Sequence, residues 1–211
     1  MPAFLFLFFY LFSHCRLKEQ ETCLTFYRTH ASYPHSESVE GSIHNKTNSH
    51  KNMNIKIGIG YDVHRLEEGI DFWLGGIRLE HDKGAVGHSD ADVLIHAICD
   101  ALLGAANLRD IGYHFSDTAT EFKGIDSKIL LKRVVVLIKD KGYQIGNIDS
   151  IIILQRPKIQ PFIEEMKATL AGVIGISIDN ISIKATTTEK LGFTGSEEGI
   201  AAQAAVLIEK I

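Results

Sequence analysis

The chain has 211 residues, a formal net charge of −4, 45% hydrophobic and 23% charged residues, which fits one ordinary domain with length to spare and excludes binding of nucleic acid or acidic membranes by bulk charge. A phosphorylated ligand would therefore have to be neutralised locally, by metal ions, backbone amides and a few lysines. Three cysteines, Cys15, Cys23 and Cys99, show neither CxxC nor framework spacing, which excludes a disulfide scaffold and a cysteine zinc site and points to a reducing, cytoplasmic compartment.

The first 52 residues stand apart. Ala3 to Phe12 is an apolar run of about ten residues, short of the roughly 20 that a membrane helix needs. No basic residue precedes it and no small-x-small cleavage site follows, as a signal peptide would require. Ser13 to Asn52 is polar and without periodicity, the composition of a disordered lead-in. Residues 1–52 read as an extension, disordered or an artefact of where the gene was taken to begin, with a targeting presequence as the alternative. The domain proper is expected over 53–211.

From Met53 the elements follow in order. Ile55, Ile57 and Ile59 alternate with Lys56 and Gly58, which predicts a half-buried strand with the isoleucines inward. Phe72-Trp73-Leu74 and Ile77-Arg78-Leu79 flank Gly75-Gly76, a hairpin. Ser89 fits an N-cap with Asp92 in a weak capping box; the helix that follows carries Val93, Leu94, Ala97, Ile98, Ala101 and Leu102 and stops at Gly104. A loop is expected from Asp110 to Gly124. Asp126 caps a second helix with Ile129, Leu130, Val134, Leu137 and Ile138 as its apolar face and Gly142 as its stop. Ile151 to Leu154 reads as a strand covered on both faces. Pro161 opens a third helix bearing Phe162, Ile163, Met166, Leu170 and Val173. Ile181 and Ile183 mark a further strand, followed by a loop through Ser196. The tail from Ile200 to Ile208 is open between helix, favoured by its alanines, and strand, favoured by Val206, Leu207 and Ile208. The alternation of strands and helices predicts an α/β sandwich, helices packed on a mixed β-sheet.

Several stretches carry chemistry. Asp62 and His64, two apart on an extended segment at the end of the first strand, point the same way and make two-thirds of an open zinc-type site. His96, off the apolar stripe one turn after Asp92, is the candidate third ligand. The alternative is that all three are ordinary polar residues. His88-Ser89-Asp90 at a helix start can bind an anion or simply cap. Asp110-Ile111-Gly112 and Phe115-Ser116-Asp117 can hug a hydroxylated, phosphorylated ligand or form a turn-rich connection. Thr186-Thr187-Thr188-Glu189 offers hydroxyls and amides for a diphosphate and a carboxylate for a hard cation such as Mg²⁺; β-propensity alone also accounts for the threonines.

Gly60-Tyr61-Asp62-Val63-His64, His88-Ser89-Asp90-Ala91-Asp92-Val93, Asp100 to Ala106, Asp110-Ile111-Gly112, Lys184 to Gly195 and Glu198-Gly199-Ile200 occur in this order. Together they resemble 2-C-methyl-D-erythritol 2,4-cyclodiphosphate synthase, the cyclising enzyme of the non-mevalonate isoprenoid pathway, over Met53 to Ile211. The resemblance implies a ferredoxin-like sandwich and a homotrimer with shared active sites, and assigns the tail to a strand. It implies conversion of 4-diphosphocytidyl-2-C-methyl-D-erythritol 2-phosphate to the cyclic diphosphate with release of CMP. Asp62, His64 and His96 would hold Zn²⁺ or another divalent transition metal, and Glu189 would assist a Mg²⁺ or Mn²⁺ bridging the α- and β-phosphates. The 2-phosphate attacks the β-phosphorus, so no protein nucleophile is needed. His88 and Thr187 would orient and stabilise the transferring groups. Substrate contacts would further involve Asp62, Val63, His64, Ser89, Asp110, Ile111, Gly112, Phe115, Ser116, Asp117, Thr118, Ala119, Thr186, Thr188, Glu189 and Phe193, with Leu154 to Gln160 lining a cytidine pocket. Many members have an aspartate at the place of Ala119 and an arginine at that of Ser196, so an isoprenoid diphosphate site in the trimer cavity is not carried over. A zinc phosphohydrolase using a metal-bound water, or a non-catalytic nucleotide-binding module, are the competing classes.

Overall fold

The computed structural model describes residues 54–116 and 120–211. The expectations for residues 1–52, for the start at Met53 and for Asp117, Thr118 and Ala119 fall outside those residues.

The first strand, β1 (Ile55–Glu68), forms as its alternation predicts, but its faces are inverted. Ile57 and Ile59 are 71% and 67% exposed, whereas Gly58 and Gly60 are buried. The cause is the helix α1 (Val93–Ala105) on the buried side. A Cβ on Gly58 would stand 1.9 Å from the Ala101 carbonyl oxygen, and one on Gly60 2.0 Å from that of Ala97. Hydrophobicity alone turns the isoleucines inward; steric fit reverses this, because only glycine lets the two backbones approach so closely.

Helix α1 is the centre of the core, with Leu94, Ile95, Ile98, Leu102 and Leu103 fully buried. Each contributes roughly 1.5–3 kcal/mol of transfer free energy, before entropy. Its cap is Asp92, whose carboxylate accepts from Ile95 N at 3.0 Å, and not Ser89. Ala91 has φ 58°, which breaks the helical path between the two, and Ser89 Oγ accepts from Ala91 N instead. The fully buried Asp92 also accepts from Gly76 N at 2.6 Å. Burial pushes its pKa up, and these two amides offset part of that penalty. The bond to Gly76 ties α1 to the expected hairpin of β2 (Phe72–Leu74) and β3 (Ile77–Leu79), whose turn glycines have φ 62° and 81°, as a two-residue loop of this hand demands.

The expected loop after α1 contains a short helix, α2 (Ile111–His114), and a 3-10 turn, Thr120–Phe122. Asp110 caps α2, and Asp100 on α1 pins its start by accepting from Ile111 N at 2.7 Å. Helix α3 (Ser127–Asp140) is capped by Asp126 as expected. Leu130, Val134 and Ile138 are buried, but the stripe includes Leu131 and Val135 while Ile129 is exposed. Strand β5 (Tyr143–Ile153) begins well before its apolar run and has Ile151 and Ile153 only partly buried, so within one chain it is covered on one face, not two. Helix α4 (Ile163–Ile174) follows a 3-10 turn holding Pro161 and buries Met166 and Leu170. Then come β6 (Ile181–Thr186), a short helix α5 (Gly192–Gly195) and β7 (Gly199–Lys210).

The tail is thus a strand, and the middle one. With β4 (Lys83–Val86), the sheet order is β4-β1-β7-β5-β6. Ile200, Ala202, Ala204, Val206 and Ile208 form its buried face: period 2 over five positions outweighs the helix propensity of alanine. Strands β5 and β6 are parallel and every other pair is antiparallel. This is the expected mixed sheet with helices on it. The parallel β5-α4-β6 unit departs from a ferredoxin-like order, in which neighbouring strands are antiparallel. The opposite face of the sheet presents Ile57, Ile59, Tyr61 and Val63, all exposed.

Candidate metal centre

Asp62 and His64 lie within β1, paired with Ala202 and Ile200 of β7, and not at the strand's end as the sequence suggests. Their two-residue spacing still puts both side chains on the α1 side. His96 comes from the first turn of α1, brought up by the close packing at Gly58 and Gly60. Asp62 Oδ2 is 3.1 Å from His64 Nδ1 and 3.0 Å from His96 Nδ1, and the imidazole centroids are 5.0 Å apart. Asp62 Oδ1 is taken by Val63 N at 2.8 Å, leaving Oδ2 to face the histidines.

These three residues fit a divalent metal. One ligand atom from each lies within 4.8 Å of the others, and among the described residues no other such group of histidine, cysteine and acid side chains forms. His64 Nδ1 is buried and, with only Asp62 Oδ2 beside it at 3.1 Å, makes no well-formed hydrogen bond. A buried orphan nitrogen is costly unless something fills its lone pair. Two imidazoles and one carboxylate leave a fourth, open position. Gly87 makes the room: a Cβ there would stand 3.0 Å from His64 Nε2 and 2.9 Å from Ala91 Cβ. Nothing in the sequence singles out Gly87.

Burial pushes the Asp62 carboxyl up, but the imidazoles of His64 and His96 beside it outweigh this and hold the group well below the usual carboxylate range. Burial pushes His64 down, and the Asp62 carboxylate reverses this to a net rise above 6.5. The signs give a pH dependence. Without metal, the stabilisation from His64 is full below 6.5 and is lost as pH rises through its folded value; that from Asp62 is lost only in strong acid. A metal needs the bare nitrogen of His64, so protons compete with it to higher pH than at an ordinary histidine. Zinc affinity, measured by chelator competition, should therefore rise with pH through the neutral range by up to about tenfold per pH unit. A flat profile would remove His64 from the ligand set.

Two cavities flank the expected binding residues. One of about 260 Å³ is lined by His88, Ser89, His96, Ile111, Gly112 and Phe115, with Phe122, Ile125 and Leu130 as its wall. The other, about 290 Å³, is lined by Leu154, Gln155, Pro157 to Gln160, Ala185, Thr186 and Thr187. They share no residue. Thr188 spends its hydroxyl on Leu191 O and Thr194 Oγ1, and Thr187 Oγ1 donates to Glu189 Oε1 at 3.0 Å. Glu189 (φ 53°) and Phe193 are exposed and line neither cavity. Ser116 is exposed, Asp110 is occupied as a cap, and Val63 projects from the opposite face of the sheet. Val63, Ala201, Ile153 and Thr186 lie in one row across β1, β7, β5 and β6. Three interstrand spacings separate the metal strand from the threonine run, roughly 14 Å. Among the described residues Glu189 is not part of the ligand group of Asp62, His64 and His96.

Comparison with known proteins agrees with this architecture. Residues 55–209 match the model of the YgbB family. The 2-C-methyl-D-erythritol 2,4-cyclodiphosphate synthase of Bacteroides fragilis is 68% identical over 159 residues, 75% of this chain and 100% of the relative. The bifunctional IspDF of Campylobacter jejuni is 38% identical with a TM-score of 0.73, over 75% of this chain and 43% of that one. A Plasmodium falciparum protein, solved as a CDP complex, is 34% identical with a TM-score of 0.65, over 74% of this chain and 96% of that one.

Proposed function

The chain belongs to the YgbB family, and we propose that it acts as a 2-C-methyl-D-erythritol 2,4-cyclodiphosphate synthase in non-mevalonate isoprenoid biosynthesis. The observation that carries this reading is the convergence of Asp62, His64 and His96 beside a cavity that His88 and Ser89 also line. The substrate is 4-diphosphocytidyl-2-C-methyl-D-erythritol 2-phosphate. An oxygen of its 2-phosphate attacks the β-phosphorus, the bond from that phosphorus to the oxygen of the α-phosphate breaks, and CMP leaves with that oxygen.

Asp62, His64 and His96 would hold Zn²⁺ or a similar ion, and Glu189 a Mg²⁺ or Mn²⁺; such ions supply Lewis-acid neutralisation of phosphate oxygens. The protein's own part is positioning. His88 and Ser89 meet the phosphate beside the metal centre, Ile111, Gly112 and Phe115 shape the pocket for the methylerythritol carbons, and the cavity at Leu154 to Gln160 takes the cytidine. The Thr187 hydroxyl, already oriented by Glu189, faces the diphosphate. Holding the attacking oxygen in line is the main task, because metaphosphate-like transfer needs little covalent help.

The active form is a homotrimer with sites completed across subunit boundaries. Supporting this are the two cavities without a common residue, the roughly 14 Å between their strands, and the apolar open face with Ile57, Ile59, Tyr61 and Val63, large for a surface meant to stay in water. Residues 53–211 are the complete unit of activity, and it works in the cytoplasm; among the described residues no helix is long and apolar enough to cross a membrane. Incubating a chain begun at Met53 with the cytidylyl substrate should release CMP and the cyclic diphosphate in equal amounts. Inorganic phosphate as the product would select a metal-dependent hydrolase instead, and an inactive truncated chain beside an active full one would assign residues 1–52 a role.

A further inference from the structure

Ser127, the first residue of α3, is fully buried, and its N–H and hydroxyl are both engaged beside the metal centre. Its N–H donates to Asp90 Oδ2 at 3.0 Å and its hydroxyl donates to Asp90 Oδ1 at 2.5 Å. The same Oγ lies 3.1 Å from His96 Nε2 and 3.2 Å from Ser89 Oγ. A hydroxyl has one proton, and an ionised carboxylate can only accept. With that proton committed to Asp90, the hydroxyl must act as acceptor toward His96, so Nε2 of His96 carries the hydrogen.

The other tautomer would let Nδ1 donate to Asp62 Oδ2, 3.0 Å away, a contact that a metal bound by both residues replaces, and it fits the opposite side of the ring poorly. With the proton on Nδ1, Nε2 could accept from Ser89 Oγ, 3.0 Å away, but its lone pair would then also face the lone pairs of Ser127. We propose that Ser127 is a positioning residue: held by Asp90, its hydroxyl fixes His96 with Nε2 as the N–H donor and Nδ1 as the bare nitrogen presented to the metal. A histidine ligand whose second nitrogen is anchored in this way is oriented before the metal arrives, and such outer partners typically change metal affinity by 10–100-fold. Ser127 and Asp90 thus extend the centre from β1 and α1 to the amino end of α3. The inference rests on the reading of Asp62, His64 and His96 as metal ligands.

The test is Zn²⁺ affinity by competition with a chromophoric chelator, for the full chain and for Ser127→Ala. The variant should bind Zn²⁺ about 10–100-fold more weakly, compared at a temperature where both chelator-treated chains are folded. The visible absorption of the Co²⁺-loaded variant, which reports ligand geometry, should shift as well; loss of a helix's first-turn serine elsewhere would move neither readout. Affinity within about twofold of the parent would overturn the proposal. If Ser127→Ala does not fold, Asp90→Asn decides: its amide can donate to Ser127, releasing the hydroxyl proton toward His96 Nε2, so Zn²⁺ binding should weaken, and unchanged binding would overturn the assignment. A parent chain that takes up no Zn²⁺ would instead refute the metal reading itself, and this inference with it.

Discussion

Gly60→Ala should dismantle the metal centre, lowering zinc affinity by about 10²-fold or more while shifting the unfolding midpoint downward by roughly 6–12 °C. The added methyl would sit 2.0 Å from Ala97 O and 2.7 Å from Ala101 N. Both are backbone atoms of a helix, so no side-chain rotamer can relieve the clash; α1 must move away from β1. Overpacking of this kind costs about 3 kcal/mol. The same displacement carries His96 away from Asp62 and His64, and metal sites tolerate only about 0.2 Å in ligand distance. Zinc titration and a melting curve on the purified variant check both parts. A Gly60→Ala chain with parental melting and stoichiometric zinc would show that the approach of α1 to β1 is not what builds the centre.

Glu189→Gln should slow CMP release by on the order of 10²–10³-fold without changing zinc content. The side chain is exposed and meets Thr187 through one hydrogen bond, and glutamine keeps that bond's acceptor and the side chain's size, so the fold has little to lose. The transition state loses the charge that would hold a bridging cation as negative charge builds on the departing α-phosphate. Turnover, its Mg²⁺ dependence and zinc content are to be measured together; normal turnover with an unaltered Mg²⁺ requirement would reduce Glu189 to a loop residue. The same variant tests the shared site. Alone, Glu189→Gln and His96→Ala are each defective, in opposite halves. In trimers assembled from an equal mixture, roughly a quarter of sites should pair an intact zinc half with an intact Glu189 half and recover activity. No recovery would place both halves within one subunit.

From the residues alone, the mixed sheet, its longer strands and helices and the candidate ligand types were legible, whereas β4, α2 and α5 were not. Alternation, caps and stop glycines are local signals, so the hairpin at Gly75-Gly76, the cap at Asp126 and the stop at Gly142 are legible without a structure. The two-residue spacing of Asp62 and His64 likewise fixes their common direction wherever β1 lies. Tertiary packing set the rest. It placed the isoleucines of β1 outward, since the space a helix leaves beside Gly58 and Gly60 is a property of two backbones and not of either segment. It moved the α1 cap from Ser89 to Asp92, because a buried carboxylate there also answers Gly76 N across the core. It made a central strand of the alanine-rich tail, where neighbours on both sides supply the hydrogen bonds that local propensity does not count. And it brought Ser127, Asp90 and Gly87 to the metal centre, residues with no common spacing, whose roles arise only where three separate elements meet.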